Sequence, residues 1–300
     1  MKPPFEFADG VLCAESVPLE TIARRYGSPC YVYSRAALEQ GFRAFASACK
    51  GRDVLLCYAM KANSNLAILD LFSRLGAGFD IVSGGELQRV KAAGGNPGKV
   101  VFSGVGKSEQ EIRTALATGI LCFNVESEQE LERISAIAAA MKTRAPVSLR
   151  VNPDVDAKTH PYISTGLKQN KFGISHGDAL ALYRKASRMP GLRVVGIDCH
   201  IGSQLTEVAP FLAALDRILL LVDKLAATGI RLEHVDLGGG LGIRYRDETP
   251  PEPASYLAAV FKRLGRRKLR LVLEPGRALV DRKSTRLNSS HGYISYAVFC

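Results

Sequence analysis

The run Val100-Val101-Phe102-Ser103, followed by Glu109 to Ala117, Gly119 and Leu121-Cys122-Phe123-Asn124-Val125, holds the fold in miniature. A short stretch of β-branched and aromatic residues gives way to an amphipathic one with apolar side chains recurring at three and four. A glycine closes that stretch, and a second apolar run begins. This spacing predicts a strand, a helix and the next strand. Working outward, the same alternation predicts strands over Val54–Tyr58, Phe79–Ser83, Val147–Val151, Val194–His200, His234–Leu237 and Leu271–Leu273, with helices over Ser127–Met141, Asp178–Arg188 and Phe211–Ala227. Ser127, three residues before Glu130, reads as a capping box, and Gly191 and Gly229 close helices as Gly119 does. Eight strand-then-helix units in about 230 residues predict an α/β fold, a parallel (β/α)8 barrel of the TIM type, since an open doubly wound sheet has fewer strands per such length.

Residues 1–34 stand outside the alternation, and Tyr31-Val32-Tyr33 reads as a strand belonging to another unit. From Arg282 to Cys300 the chain is rich in Ser, Asn and Tyr and shows no helical or strand period, so this tail is read as foreign to what precedes it. The predicted organisation is an N-terminal segment over 1–34, a barrel over 35–281 and an aberrant tail over 282–300.

A length of 300 residues gives ample chain for a core, and 47% hydrophobic with 23% charged residues excludes wholesale disorder and collagen-like repetition. Apolar runs such as Ile218 to Val222 are broken by charge long before the roughly 20 residues a bilayer span needs. The first residues lack the apolar core of a secretory signal, and the seven cysteines form no C-x-x-C pair, so a cytoplasmic chain with reduced thiols is expected. The net charge of +11 invites a nucleic-acid reading, but Arg282, Lys283 and Arg286 supply three of those charges and leave +8 upstream. The one cluster there, Lys262-Arg263 with Arg266-Arg267-Lys268, has no interleaved aromatic residues for stacking and reads as a solvated helix end. The excess charge suits a small acidic ligand, and neither nucleic acid nor membrane is an expected partner.

A barrel builds its active site at the C-terminal ends of its strands. Lys61 follows the first, Ser83-Gly84-Gly85-Glu86 the second, Ser103-Gly104 the third, Asn124 and Glu126 the fourth, and Arg150 and Asn152 the fifth. His200-Ile201-Gly202-Ser203 follow the sixth, Gly238-Gly239-Gly240 the seventh and Glu274-Pro275-Gly276-Arg277 the eighth. Glycine turns can simply close tight corners, yet bare N–H groups after strand seven beside Gly276-Arg277 after strand eight are what a phosphate needs. Lys61 is a solvated charge in isolation; at an apolar mouth its charged form is disfavoured, which frees the amine to attack an aldehyde. An aldehyde carrying a phosphate points to pyridoxal 5′-phosphate, with Glu274 as the carboxylate that keeps the pyridine nitrogen protonated unless it pairs with Arg277 instead. His200 is either a core histidine or a flat ring stacked on that cofactor. His160, His176, His200, His234 and His291 lack ligand spacing, so no metal is expected.

Tyr58 to Asn63, Phe79 to Leu87, His200 to Gln204, Gly238 to Gly242 and Glu274 to Arg277 together resemble the fold-type III pyridoxal-phosphate decarboxylases. Thr159 to Gly166, leading to Lys171-Phe172-Gly173-Ile174, is similar to the diaminopimelate decarboxylase branch, and the resemblance runs in order over about residues 5 to 281. It implies that Lys61 is the Schiff-base lysine, that His200 stacks on the ring, and that Asp80, Ser203, Gly238, Gly239, Gly240, Glu274, Gly276 and Arg277 bind the cofactor. Arg277 would also meet the substrate. The implied reaction removes CO2 from the D-configured centre of meso-2,6-diaminopimelate to give L-lysine in a homodimer. The family continues past the eighth strand into a β-domain that pairs with the N-terminal segment and supplies a proton-donating cysteine. That region is absent here, Cys300 has no family motif around it, and the tail Lys283 to His291 resembles spurious terminal translation. A truncated chain of weak activity is therefore expected. The alternatives are an ornithine- or arginine-type decarboxylase and a non-catalytic barrel that handles the cofactor, although the latter lacks the Glu-Pro-Gly-Arg turn. A racemase would place arginine where Glu274 stands.

Overall fold

The computed structural model describes residues 3–155, 172–287 and 297–299. Eight parallel strands, Val54–Ala59, Gly78–Ile81, Val100–Phe102, Cys122–Val125, Ala145–Asn152, Leu192–Asp198, His234–Asp236 and Arg270–Leu273, each lie within two residues of a predicted one. Each pairs with its neighbour in the chain, and the eighth returns to the first with Leu271 opposite Val54 and Leu273 opposite Leu56, which closes the barrel.

The strands are apolar on both faces because one face meets the barrel interior and the other the helices. Gly78–Ile81 and Cys122–Val125 are buried throughout. The larger core lies between strands and helices, where Phe72, Phe79, Phe102 and Phe123 are fully buried. A smaller cluster of Leu55, Cys57, Val101, Cys122, Val195 and Val272 fills the barrel's interior toward the N-terminal ends of the strands. Two residues along, the same faces turn polar: Asn124 stands beyond Cys122 and Asp236 beyond His234, both buried. The barrel is thus dry at one end and carries polar groups at the other.

One feature of the predicted count differs. Among the described residues the eighth strand is followed by just one helix, the single turn Arg277–Val280, and the ring is closed by the helix Arg35–Ala48, which precedes the first strand and packs against Pro253–Leu264 and Arg277–Val280. Ser34 caps that helix, its hydroxyl accepting from Ala37 N–H at 3.1 Å.

The capping box expected at Ser127 is half formed. The Ser127 hydroxyl accepts the Glu130 N–H at 3.2 Å, but the Glu130 carboxylate takes the N–H of Glu126 at 2.8 Å and the Lys107 ammonium at 2.6 Å. The complete box is at Ser108 and Glu111. The basic cluster is a solvated helix end, with Arg263 on Asp216 and Arg267 on Asp223, each at 2.8 Å.

Outside the barrel, Phe5–Ala8, Val11–Ala14 and Val17–Pro18 form an antiparallel sheet, and Cys30–Tyr33 belongs to a separate one. The tail, in which the sequence shows no strand period, supplies both partners of Cys30–Tyr33: Ser284–Leu287 antiparallel and Ala297–Phe299 parallel. Backbone pairing to an open edge needs no alternation of side chains, which is why the pattern is silent there. Thr159 to Gly166, Lys171, Asn288 to His291 and Cys300 lie outside the described residues.

Lys107 ties the loops after the third and fourth strands together. Its side chain is 0% exposed, donates to Gly104 and Asn124 carbonyls at 2.6 and 2.9 Å, and pairs with Glu130, itself 10% exposed. Lys107→Met strands a buried carboxylate, and a loss of about 3–5 kcal/mol in denaturant unfolding is expected. A loss below about 1 kcal/mol, the range of an exposed pair, would contradict the role given to Lys107.

Candidate active site

A cleft of about 410 Å3 opens at the C-terminal ends of the strands. Lys61, His200, Ser203, Gly238, Gly239, Gly240, Glu274, Gly276 and Arg277 all line it, and Asp80, the remaining predicted residue, stands behind Lys61. Residues from four loops and one strand thus converge because parallel closure brings all strand ends to one rim. Tyr33 and Ser284, from the sheet outside the barrel, border the same cleft.

Lys61 sits in the 3-10 turn Met60–Ala62 directly after the first strand. Its ammonium lies 3.0 Å from Asp80 Oδ2; the lysine side chain is 56% exposed along the cleft, whereas that of Asp80 is 0%. The expectation that the mouth disfavours the charged amine is corrected here. The Asp80 charge outweighs desolvation, Glu274 adds to it, and the Lys61 pKa is raised rather than lowered. The amine becomes available only once that proton is lost.

In the same cleft, the backbone N–H groups of Gly239, Gly240, Gly276 and Arg277 have no acceptor among the described residues. Gly239 permits the close approach: a Cβ there would lie 2.3 Å from the Glu274 carbonyl oxygen. Arg277 adds a cation held by Tyr245, by Ser203 at 3.5 Å and by Asp281 at 3.5 Å, while its buried Nε has no acceptor. Its partner among the acids is Asp281, so the pairing with Glu274 considered from sequence is not formed.

Glu274 is buried with Oε1 unpartnered, and burial first and the charges of Asp236, Asp80 and Asp198 next push its pKa well above the carboxylate range. The oxygens of Asp198, Asp236 and Glu274 lie within 4.8 Å of one another. Arg150 stands 3.1 Å from Glu126 and 4.0 Å from Asp198. His200 is held neutral by burial and by Arg150 and Lys61. Its ring forms part of the cleft wall, while His234 is the core histidine, 3.8 Å from Cys122 Sγ inside the barrel.

Not every strand end serves the cleft. The Ser83 hydroxyl accepts the Glu86 N–H at 3.2 Å, and the Glu86 carboxylate takes the Val82 N–H at 2.6 Å, so this stretch caps the helix Gly84–Ala92. Sequence reasoning missed Asp198, Asp236, Tyr245 and Asp281. The first two had a signal, an acid at the end of an otherwise apolar run. The other two sit in loops whose approach to Arg277 no local pattern encodes.

The donors present suit a ligand with an anionic tail and a basic ring nitrogen: acceptor-free N–H groups, an orphaned buried carboxyl oxygen and an amine share one cleft. A barrel with this site defines a class of enzyme that holds pyridoxal 5′-phosphate on a lysine. Residues 35–281 match the model of the pyridoxal-dependent decarboxylases, pyridoxal binding domain, and the chain belongs to that family. It is 60% identical over 276 residues to diaminopimelate decarboxylase of Pseudomonas aeruginosa, covering 92% of this chain and 66% of that one. To the Vibrio cholerae enzyme of the same name it is 59% identical over 272 residues, covering 90% and 65%. The chain spans about two thirds of the length of these relatives. The crystal structure of diaminopimelate decarboxylase from Helicobacter pylori complexed with L-lysine superimposes with a TM-score of 0.86 at 42% identity, over 89% of this chain and 68% of that one. Lysine/ornithine decarboxylase from Vibrio vulnificus, at 23% identity and a TM-score of 0.77, shares the fold.

The carboxylate cluster makes stability depend on pH. Burial raises the Asp236 pKa to about 7, and Asp198 and Glu274 move the same way. An acid whose folded pKa exceeds its unfolded value of about 4 favours the folded chain only while protonated. Stability of the chain without ligand is therefore expected to fall as pH rises from about 4 to about 7, and Asp236→Asn to flatten that decline. Thermal unfolding across this range checks it; equal slopes in both proteins would contradict it.

Proposed function

We propose that the chain carries out the pyridoxal 5′-phosphate-dependent decarboxylation of meso-2,6-diaminopimelate at its D-configured centre, giving L-lysine and CO2 as the last step of lysine biosynthesis. The observation that carries this is the Lys61–Asp80 pair at 3.0 Å in the same cleft as the four acceptor-free N–H groups and buried Glu274. The shared name of relatives at 58–60% identity supports the substrate.

When bound, pyridoxal 5′-phosphate supplies an aldehyde for an amine and a ring that withdraws electrons from the bond to be broken. Lys61 offers the amine, and Asp80 Oδ2, 3.0 Å away, holds it at the cleft. The N–H groups of Gly239, Gly240, Gly276 and Arg277 bind the phosphate, with Ser203 beside the guanidinium that adds positive charge. Glu274, whose raised pKa keeps a proton on its buried carboxyl, would stand with Oε1 at the ring nitrogen. Neutral His200 presents a flat face without a competing charge. Arg277 also recognises a substrate carboxylate.

We read residues 1–34 as a unit apart from the barrel over 35–281, and the tail over 282–300 as going with that unit, because its described strands pair with Cys30–Tyr33. The family resemblance supports a homodimer. The buried free cysteines of the described residues suit the cytoplasm, and no helix among them is long and apolar enough to cross a membrane.

Treating the chain with pyridoxal 5′-phosphate and borohydride should fix the cofactor on Lys61, and Lys61→Ala should abolish the adduct; a surviving adduct on another lysine overturns the assignment. CO2 release from meso-diaminopimelate should exceed that from ornithine or arginine at least about tenfold. The reverse order would select the ornithine- or arginine-type alternative.

A further inference from the structure

Asp236 is a buried carboxylate beside two others, a costly place for a charge. What it does there is visible in the backbone. Its Oδ1 accepts the Gly238 N–H at 2.8 Å, while the Gly238 carbonyl accepts the Glu274 N–H at 2.7 Å. Gly238 is therefore held on both sides, by Asp236 at the end of strand seven and by the backbone after strand eight, with φ at +63°, a conformation that side chains rarely adopt. The next two N–H groups in the chain, those of Gly239 and Gly240, are acceptor-free and face no competitor among the described residues. Their direction depends on where Gly238 is pinned.

We propose that Asp236 is a positioning residue for the phosphate of the cofactor, its Oδ1 holding the Gly238–Gly240 turn so that the following N–H groups converge on the anion. Its other oxygen, Oδ2, has no partner and stands in the cluster with Asp198 and Glu274, so the residue that sets the phosphate turn also borders the group facing the ring nitrogen. An amide oxygen can take over the hydrogen bond; a hydrocarbon cannot. The inference rests on the reading that this cleft holds pyridoxal 5′-phosphate.

The test compares equilibrium binding of pyridoxal 5′-phosphate with that of pyridoxal, which offers the same aldehyde to Lys61 but has no phosphate, so that their ratio isolates the phosphate turn. The full chain should prefer the phosphorylated form. Asp236→Ala should reduce that preference at least about tenfold, and Asp236→Asn, which keeps an acceptor for Gly238, should hold it within about threefold. A ratio unchanged in Asp236→Ala, or lost equally in the asparagine variant, overturns the proposal. Asp236→Leu, which keeps the branched shape of asparagine without an acceptor, gives the same comparison if the alanine variant fails to fold. Failure of both to fold while Asp236→Asn folds would show a structural role and also overturn it. Absence of any preference in the unsubstituted chain would instead sink the functional reading, and this inference with it.

Discussion

The constraint on which the site depends is the surplus of buried carboxyl groups at the polar end of the barrel. Asp80, Asp198, Asp236 and Glu274 share that space with two cations, Lys61 and Arg150. Opposing charges this close cannot all be satisfied, so some carboxyls stay protonated and Lys61 stays charged. The same imbalance that weakens the ligand-free chain keeps a proton on Glu274 for a ring nitrogen and holds the Lys61 ammonium against Asp80. Gathering these groups requires closure: strands one, two, five, six, seven and eight each contribute one member, and only a ring of parallel strands brings their ends together.

The barrel was legible in the sequence because all eight strands are buried on both faces and so read as short continuous apolar runs between amphipathic helices. The strand-end residues Lys61, Ser203, Gly238 to Gly240, Glu274, Gly276 and Arg277 were legible for a related reason: a lysine, a glycine triplet or an acid breaks an apolar run conspicuously. What stayed hidden depends on distance along the chain. The charge of Lys61 is set by Asp80, nineteen positions away. The support for Arg277 comes from Tyr245 across thirty-two positions. Closure by the helix Arg35–Ala48 ahead of the first strand was hidden too, since it is fixed by packing and not by local pattern.

The sheet outside the barrel lies where side-chain pattern says little. Tyr31-Val32-Tyr33 announces a strand, yet its partners Ser284–Leu287 and Ala297–Phe299 carry no alternation and were read as foreign. Backbone hydrogen bonding fixed their place. The consequence reaches the site, because Tyr33 and Ser284 stand on the border of the cleft.

A crystal structure of the chain soaked with pyridoxal 5′-phosphate tests the division of charge most directly. The aldehyde carbon should be joined to Lys61 Nζ, the phosphate should sit on the N–H groups of Gly239, Gly240, Gly276 and Arg277, and the ring nitrogen should face Glu274 Oε1. A phosphate bound elsewhere on the rim, or a ring nitrogen turned away from Glu274, would contradict it.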